Sequence, residues 1–311
     1  MKRPQNIIAE SGLSLPAMVV YGVGIWLAKG LIPNRLWWQM GTFFLAVYLM
    51  VELSNGNALL RIRSRMVSCT FIALSCAASF LFTSLEGNLL QIGIIASLLF
   101  LFQTYQDPLA VGKTYYAFFF WGLCTTICTQ LFLFVPLLWI LMATQLRVLS
   151  VKIVIASLLG IATPYWMILA WGLFKGDASW IANHFTAPDS SAWATGMMTL
   201  TVGQIAILVL TLLLTLVSIV HLWQYGFEDK TRIRLIYGFF CIMTLASTLY
   251  IIIQPQSFNY LMRLVIIMAS PVIAHFFTLT SHRFTNIFFF VTLAVVFSIT
   301  ILNLWMPSLT F

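Results

Sequence analysis

The stretch from Thr114 to Leu146 constrains the fold of this chain more than any other feature. It contains no Asp, Glu, Lys or Arg, and Phe, Leu and Trp recur throughout it. A helix needs about 20 apolar residues to cross the roughly 30 Å of hydrocarbon in a bilayer. This stretch is long enough for two short crossings that divide near Gln130. We therefore predict a helical hairpin within a membrane.

The composition extends that prediction to the whole chain. Hydrophobic residues make up 61% of the sequence and charged residues 8%, whereas charged residues are about 25% of a soluble domain. The net charge of +8 is also typical of nucleic-acid-binding proteins, but the Lys and Arg residues fall in short loops between apolar segments, where they act as topology signals. We expect membrane lipids as partners and no nucleic acid.

Hydropathy predicts an all-α polytopic transmembrane bundle of about eleven spans, within a range of about 10 to 12. Residues 1–311 are predicted to form a single integral-membrane domain, with residues 175–198 as an external interfacial segment. The predicted spans are Leu13 to Ala28, Leu36 to Val51, Met66 to Leu85, Leu89 to Phe102, Tyr115 to Thr129, Leu131 to Met142, Ile153 to Phe174, Leu200 to Leu222, Leu235 to Ile253, Leu264 to Thr280 and Ile287 to Trp305.

The distribution of basic residues tests the hairpin. With the N-terminus inside, most of the 16 basic residues fall on the cytoplasmic side, and the C-terminus lies outside; a single span over Thr114 to Leu146 would scatter them. We therefore expect a multi-pass protein of a bacterial inner (plasma) membrane. The residues predicted inside are Lys2, Arg3, Arg61, Arg63, Arg65, Lys113, Arg147, Lys152, Lys230, Arg232, Arg234 and Arg283, and those predicted outside are Lys29, Arg35, Lys175 and Arg263.

The outer side holds the candidate site residues. Arg binds phosphate through two parallel hydrogen bonds, Lys binds it as a point charge, and a carboxylate can serve as a base. Such a set would suit a lipid-linked phosphate, although interfacial anchoring and loop solvation explain the same residues. The substrate-binding candidates are Lys29, Arg35, Arg263 and His184, and the catalytic candidates are Asp177, Asp189 and Glu86.

His275 is the candidate for a buried titratable role, because it lies inside a predicted span. The alternative is a hydrogen bond from His275 to a neighbouring helix. A metal site is not expected, since the other histidines are divided between the two sides of the membrane, and we predict that Cys124 and Cys128 pack in the core. No cofactor is predicted. Pro136 and Pro164 either open a cavity or are tolerated kinks.

The region from Asp107 to Phe174 carries a resemblance. It has an Asp107-Pro108 loop, Phe134-Val135-Pro136-Leu137-Leu138-Trp139 in the second arm of the hairpin, and Gly160-Ile161-Ala162-Thr163-Pro164-Tyr165. In these features the chain resembles an uncharacterised bacterial family of multi-span inner-membrane proteins, whose Arg-rich turn after the second span would correspond to Asn57 to Arg65. That resemblance implies a membrane location and brings no known activity.

The same region is similar, more distantly, to polyprenyl-phosphate-dependent multi-span glycosyltransferases. Those enzymes carry a catalytic acid in a long external loop after the first span. Here that loop is only Lys29 to Arg35 and contains no acid. The similarity therefore implies either that catalysis has moved to Asp177 or Asp189, or that activity has been lost.

Three functional hypotheses follow. The first is a non-catalytic binding or accessory component in cell-envelope biogenesis, which predicts an apolar groove for a lipid or another membrane protein. The second is a glycosyltransferase-like enzyme acting on a lipid-linked phosphate at the outer face, which requires the external charges to converge. The third is a small-molecule or lipid transporter, which requires a polar cavity near groups such as Gln204 or His275.

Overall fold

The computed structural model describes residues 3–175 and 200–305, and this part of the chain is all-helical. Short 3₁₀ turns at Ser79–Leu81, Thr129–Leu133, Gly226–Glu228 and Pro255–Ser257 join some of the helices. The described ranges contain twelve α-helices: α1 Pro4–Glu10, α2 Ser14–Ala28, α3 Trp37–Asn57, α4 Met66–Ala77, α5 Leu85–Phe102, α6 Val111–Ile127, α7 Phe134–Thr144, α8 Val151–Lys175, α9 Val202–Tyr225, α10 Thr231–Ile253, α11 Phe258–Leu279 and α12 Arg283–Trp305.

Six of these helices are long and apolar enough to cross a bilayer, namely α5, α8, α9, α10, α11 and α12. The number becomes seven if α1 and α2, which meet at 88°, form one broken span. Helices α4 and α7 are apolar but short. The fold is therefore compatible with a multi-pass integral membrane protein, and a helix occupies each segment in which the sequence predicts a span.

Helix α11 lies at the centre of the bundle. Its most apolar 18-residue window is 100% buried, against 28% for the corresponding windows of α9 and α12. It packs against α4, α5, α9 and α10. The outer helices instead expose large apolar side chains such as Trp223 and Phe284. Exposed apolar surface of this kind suits hydrocarbon rather than water.

Four loops share one end of the bundle, which we call the basic end. Arg61 of the α3–α4 loop contacts Asp229 of the α9–α10 loop, and the Gln106 amide of the α5–α6 loop donates to the Leu146 carbonyl before α8 at 3.0 Å. Arg232, at the start of α10, donates to the carbonyl of Phe102, the last residue of α5, at 3.2 Å. Basic loops that are separate in sequence therefore meet in space.

A second set of helix ends meets at the opposite end. Asn303 Nδ2, near the end of α12, donates to the Ala77 carbonyl of α4 at 2.7 Å. Asn88 Nδ2, near the start of α5, donates to the Gln39 carbonyl of α3 at 3.0 Å. The helices thus run back and forth between two polar ends, as predicted for a chain that weaves through a bilayer.

The predicted division of Thr114 to Leu146 is confirmed, since α6 ends at Ile127, a 3₁₀ turn follows, and α7 begins at Phe134. Helix α6 packs closely on α8. A Cβ atom at Gly160 would lie 2.6 Å from the Tyr115 carbonyl oxygen. Pro164 lies inside an uninterrupted α8, and Pro136 occupies the first turn of α7, where a missing N–H has little effect. Both prolines are accommodated without breaking a helix.

Candidate functional site

A buried ion-pair network at the basic end forms the clearest polar site in the described residues. His275 Nε2 lies 3.0 Å from Asp229 Oδ2, and both side chains are fully buried. His275 is close to the end of α11, while Asp229 directly precedes Lys230, the N-cap of α10. The predicted hydrogen bond from His275 is therefore present, and its partner is a loop carboxylate rather than a group on a helix.

Arg61 completes this network from the α3–α4 loop. Its Nε donates to Asp229 Oδ1 at 2.5 Å, and its Nη1 donates to Glu228 Oε2 at 2.5 Å. The Arg61 side chain is 29% exposed and that of Glu228 is 49% exposed, so the network runs from the interior to the surface. Asp229 uses one oxygen for His275 and the other for Arg61.

The electrostatics of the network favour a charged Asp229. Burial alone would raise the pKa of Asp229, but the hydrogen bonds from His275 and Arg61 outweigh burial and hold this pKa below its ordinary value. Burial would lower the pKa of Arg61, and its hydrogen bonds to Asp229 and Glu228 raise it instead. Asp229 is thus an anion that joins α11 to two loops.

Aromatic side chains surround His275. The Tyr237 ring lies 4.6 Å from the His275 ring, centroid to centroid, and the His221 ring lies 5.9 Å from it. The Tyr237 hydroxyl donates to the Leu59 carbonyl at 3.0 Å. With both Asp229 oxygens engaged and aromatic rings packed on the imidazole, Asp229 and His275 act as a structural clamp that joins α11 to the α3–α4 and α9–α10 loops.

At the opposite end, Arg263 occupies a buried site of neutral acceptors. It lies in the second turn of α11 and is 2% exposed. Its Nη1 donates to Asn88 Oδ1 at 2.5 Å and to Gln91 Oε1 at 3.2 Å, and its Nη2 donates to the Leu81 carbonyl. Gly87 lines the site, and a Cβ there would lie 2.5 Å from Arg263 Nε. Arg263 therefore ties α11 to the start of α5.

The other external candidates lie near that end. Glu86 Oε2 accepts a hydrogen bond from the Tyr260 hydroxyl at 3.3 Å, one turn from Arg263. Lys29 follows the end of α2, and burial lowers its pKa. Arg35 is exposed and has a left-handed backbone conformation with φ of 51°. No ion pair within the described ranges joins Arg263 to a carboxylate.

Three of the predicted site residues, Asp177, His184 and Asp189, lie outside the described residues. Their convergence with Lys29, Arg35 and Arg263 therefore stays a prediction.

The cysteines and histidines of the described segments do not form a metal-binding group of three or more. Cys124 Sγ lies 3.4 Å from the Leu90 carbonyl, and Cys128 Sγ lies 3.1 Å from Gln130 Oε1. Both are buried, as core packing requires.

The sequence-based prediction did not include Asp229 or the amides around Arg263. A feature of the sequence could have identified each of them. The predicted topology already places Arg61 and Lys230 on one side, so the acids beside Lys230 were available partners. Asn88 and Gln91 are polar residues in a mainly apolar helix, three positions apart, which puts them on one face. A buried partner was the physical reason for that pattern.

Comparison of the chain with protein-family models, with curated proteins and with solved structures finds no match.

Proposed function

We propose that this protein is a bacterial inner-membrane protein of about eleven spans, N-terminus inside and C-terminus outside, that acts as a non-catalytic binding component in cell-envelope biogenesis. The proposed ligand is the hydrocarbon chain of a membrane lipid. The observation that carries this proposal is an apolar groove between α7 and α8.

The groove has a volume of about 870 Å³ and is bordered by the 3₁₀ turn before α7, by α7 itself and by the middle of α8. Its walls are mainly apolar and aromatic. Lining residues include Phe132, Pro136, Trp139, Ala162, Tyr165 and Trp166.

The polar atoms in these walls are largely paired with protein groups. Trp139 Nε1 donates to Ser157 Oγ at 2.9 Å, and the Tyr165 hydroxyl donates to Thr125 Oγ1 at 3.1 Å. The Thr163 hydroxyl donates to the Leu159 carbonyl at 2.7 Å. The groove therefore offers dispersion contacts and few hydrogen bonds, which suits a hydrocarbon chain better than a polar solute.

The surroundings favour a lipid over a partner helix. Leu158, Leu159 and Trp166 of α8 are at least half exposed, so the groove opens towards the bilayer. Lipid chains are the most abundant apolar ligands in that phase and fill a groove without the close backbone approach that helix association needs.

Two further observations weigh against the alternatives. The middle of α11 is solid apolar core, with Leu264, Ile267 and Val272 all fully buried, so this helix does not line an aqueous path. Arg263, the central cation of the enzyme hypothesis, is already hydrogen-bonded to three protein oxygens.

Native mass spectrometry of the purified protein with co-purified lipids tests the proposal. We expect a bound lipid in the wild type and loss of one lipid equivalent in Ala162→Phe, which fills the groove. Ala170→Phe is the matched control, since Ala170 is exposed on the same helix and lies outside the groove. An unchanged lipid count in Ala162→Phe, or a polypeptide bound in the groove, overturns the assignment.

A further inference from the structure

A polar cavity lies at the elbow between α1 and α2, on the basic end of the bundle. It has a volume of about 670 Å³ and is open to the surface. Its polar lining comes from the elbow and from the α3–α4 loop. The residues are Glu10, Ser11, Gly12, Arg63, Ser64 and Arg65.

The two arginines have hydrogen-bonding capacity to spare. Arg65 Nη1 is buried without a hydrogen-bond partner, which is costly for a charged donor. Arg63 is exposed and forms no ion pair with the described residues. The cavity contains two guanidinium groups and one carboxylate, so its formal charge favours an anion.

An apolar cavity of about 180 Å³ lies beside it. Its lining comes from α1, α2, α4, α9, α11 and α12, and includes Ile8, Ala17, Met18, Met66, Leu214 and Phe289.

The two cavities are contiguous along the chain. Arg65 lines the polar cavity and the next residue, Met66, lines the apolar one. Ser14 lines the apolar cavity two residues after Gly12. Consecutive Cα atoms are about 3.8 Å apart, so the linings of the two cavities come within a few residues of each other.

The angle between α1 and α2 is the one expected where a span meets the headgroup layer of a membrane. Helix α1 lies at 88° to α2, and it is held against the end of α11 by Gln5 Nε2, which donates to Thr280 Oγ1 at 3.1 Å. A short helix perpendicular to a span lies at the boundary between headgroups and hydrocarbon. With α1 at this boundary, the polar cavity is on the headgroup side and the apolar cavity on the acyl-chain side.

The geometry points to a binding site for an anionic glycerophospholipid of the inner leaflet. Arg63 and Arg65 bind the phosphate group, and one acyl chain enters the apolar cavity between α2, α4 and α12. This site is separate from the α7–α8 groove and does not depend on the function proposed for that groove.

The test is a titration of the purified, delipidated protein in detergent, followed by native mass spectrometry. The probes are phosphatidylglycerol and phosphatidylcholine with identical acyl chains. We expect selective binding of phosphatidylglycerol, weakened roughly tenfold by Arg63→Gln or Arg65→Gln, the size expected for one charge-assisted hydrogen bond. Lys152→Gln, which removes an exposed basic residue at the same end, should bind as the wild type does.

A separate variant tests the apolar cavity that is proposed to hold the acyl chain. Ala17→Phe places a ring in the apolar cavity and should weaken binding of phosphatidylglycerol, whereas Ala28→Phe, at the far end of the same helix, should not. sn-Glycerol 3-phosphate and inorganic phosphate separate a lipid site from a free-phosphate site. We expect both to compete only at concentrations far above that of the lipid.

Several results overturn the inference: equal affinity for the two lipids, no effect of the Arg63 and Arg65 substitutions, or competition by inorganic phosphate at the lipid's own concentration. If Arg65→Gln fails to fold, the exposed Arg63 still supplies the test. Ala162→Phe in the α7–α8 groove should remove one lipid equivalent whatever its headgroup and leave the preference for phosphatidylglycerol at the remaining site as it is in the wild type, so the two sites can fail independently.

Discussion

Asp229 shows how a single carboxylate can hold separate parts of a membrane bundle together. It accepts hydrogen bonds from His275 and Arg61, which are 46 and 168 positions away in the sequence. A charge with no exposed surface is tolerated only when it is paired, and removing one partner of a buried pair is far more costly than the net stabilisation by that pair. The stability of the basic end should therefore depend strongly on this residue.

We predict that Asp229→Asn destabilises the protein by about 3 kcal/mol at neutral pH, because it leaves the buried His275 and the partly exposed Arg61 facing a neutral amide. Thermal unfolding in detergent, followed by tryptophan fluorescence, measures the fall in Tm. Glu228→Gln is the matched control. Its carboxylate is half exposed and binds the same arginine, so its loss should cost at most about 1 kcal/mol. Equal losses in the two variants would contradict the clamp.

The ion-pair network of Asp229 also predicts how the stability of the protein depends on pH. The folded-state pKa of Asp229 lies below its ordinary value, so its stabilisation is fully present above the unfolded pKa of about 3.9 and is lost as the pH falls through the folded pKa. The difference in Tm between wild type and Asp229→Asn should therefore shrink as the pH falls below about 4. If the difference in Tm between wild type and Asp229→Asn grows on acidification, the pKa of Asp229 is raised in the folded state and not lowered.

Arg263 differs from Arg61, because it donates to three neutral oxygens and not to a carboxylate. A lysine keeps the charge but lacks the planar fork. We expect Arg263→Lys to lower stability by about 2 kcal/mol, through hydrogen bonds left unmade to Asn88 and Leu81. Detergent unfolding measures the change. Arg35→Lys, an exposed Arg at the same end, should leave Tm unchanged, and a comparable fall there would contradict the role given to burial.

The sequence indicates which residues are unusual and leaves their partners undetermined. His275 was predicted to be buried because it lies in an apolar span, and it is fully buried. Its partner could not be predicted, because that contact depends on how the α9–α10 loop folds over the end of α11. Hydropathy predicts Arg263 among the external cations, because hydropathy cannot distinguish an Arg in a loop from one that is buried in the bundle.

At the scale of helices, small residues decide how closely two helices approach. Gly160 of α8 faces the backbone of α6, and the Cβ of any larger residue would meet the carbonyl oxygen of Tyr115 and the amide of Phe119. Ala156 and Gly160 are four residues apart, a spacing that lets helices approach closely, and α6 and α8 do approach closely at Gly160. Gly24 and Ala28 have the same spacing, but no described atom of another element lies within 4 Å of a Cβ at Gly24.

These two glycines form a matched pair for experiment. Gly160→Ala should destabilise the protein by at least about 1 kcal/mol, because a backbone carbonyl cannot move as a side chain would. Gly24→Ala should be neutral or stabilise by up to about 1 kcal/mol, since alanine favours a helix and meets no neighbour there. Unfolding in detergent compares them. A loss in Gly24→Ala equal to that in Gly160→Ala would refute the packing argument.

Helix positions were more predictable than helix lengths. Apolar runs located a helix in every predicted span, since the backbone must satisfy its own hydrogen bonds in hydrocarbon. The run from Met66 to Leu85, however, contains an α-helix only to Ala77, followed by a 3₁₀ turn. Hydropathy measures the free energy of transfer to lipid and does not depend on the conformation of an apolar segment. It therefore cannot predict a change from an α-helix to a 3₁₀ turn.

For the whole molecule, the two ends of the bundle can be compared with the two membrane sides that the basic residues predict. Hydrogen bonds collect the loops of Arg61, Gln106 and Leu146 at one end, which agrees with the sides that the basic residues predict. The long uncharged stretch decides the sidedness of everything after it. In this fold α6 and α7 return the chain to the end at which α6 begins, which predicts the α7–α8 loop inside, whereas one crossing over the whole stretch would place that loop outside.

A membrane-impermeant maleimide labels cysteines that face the outside of intact cells. Cysteines introduced into single loops therefore distinguish two crossings from one. Arg35→Cys, in the α2–α3 loop, should be labelled from outside. Arg147→Cys, in the α7–α8 loop, should be labelled only after permeabilisation, because two crossings return the chain to the cytoplasm. Of the native cysteines, four are buried and Cys241 is only partly exposed, so the unsubstituted protein supplies the background. Labelling of Arg147→Cys in intact cells would exclude the hairpin and invert the side of every later loop, including the one that carries Asp229.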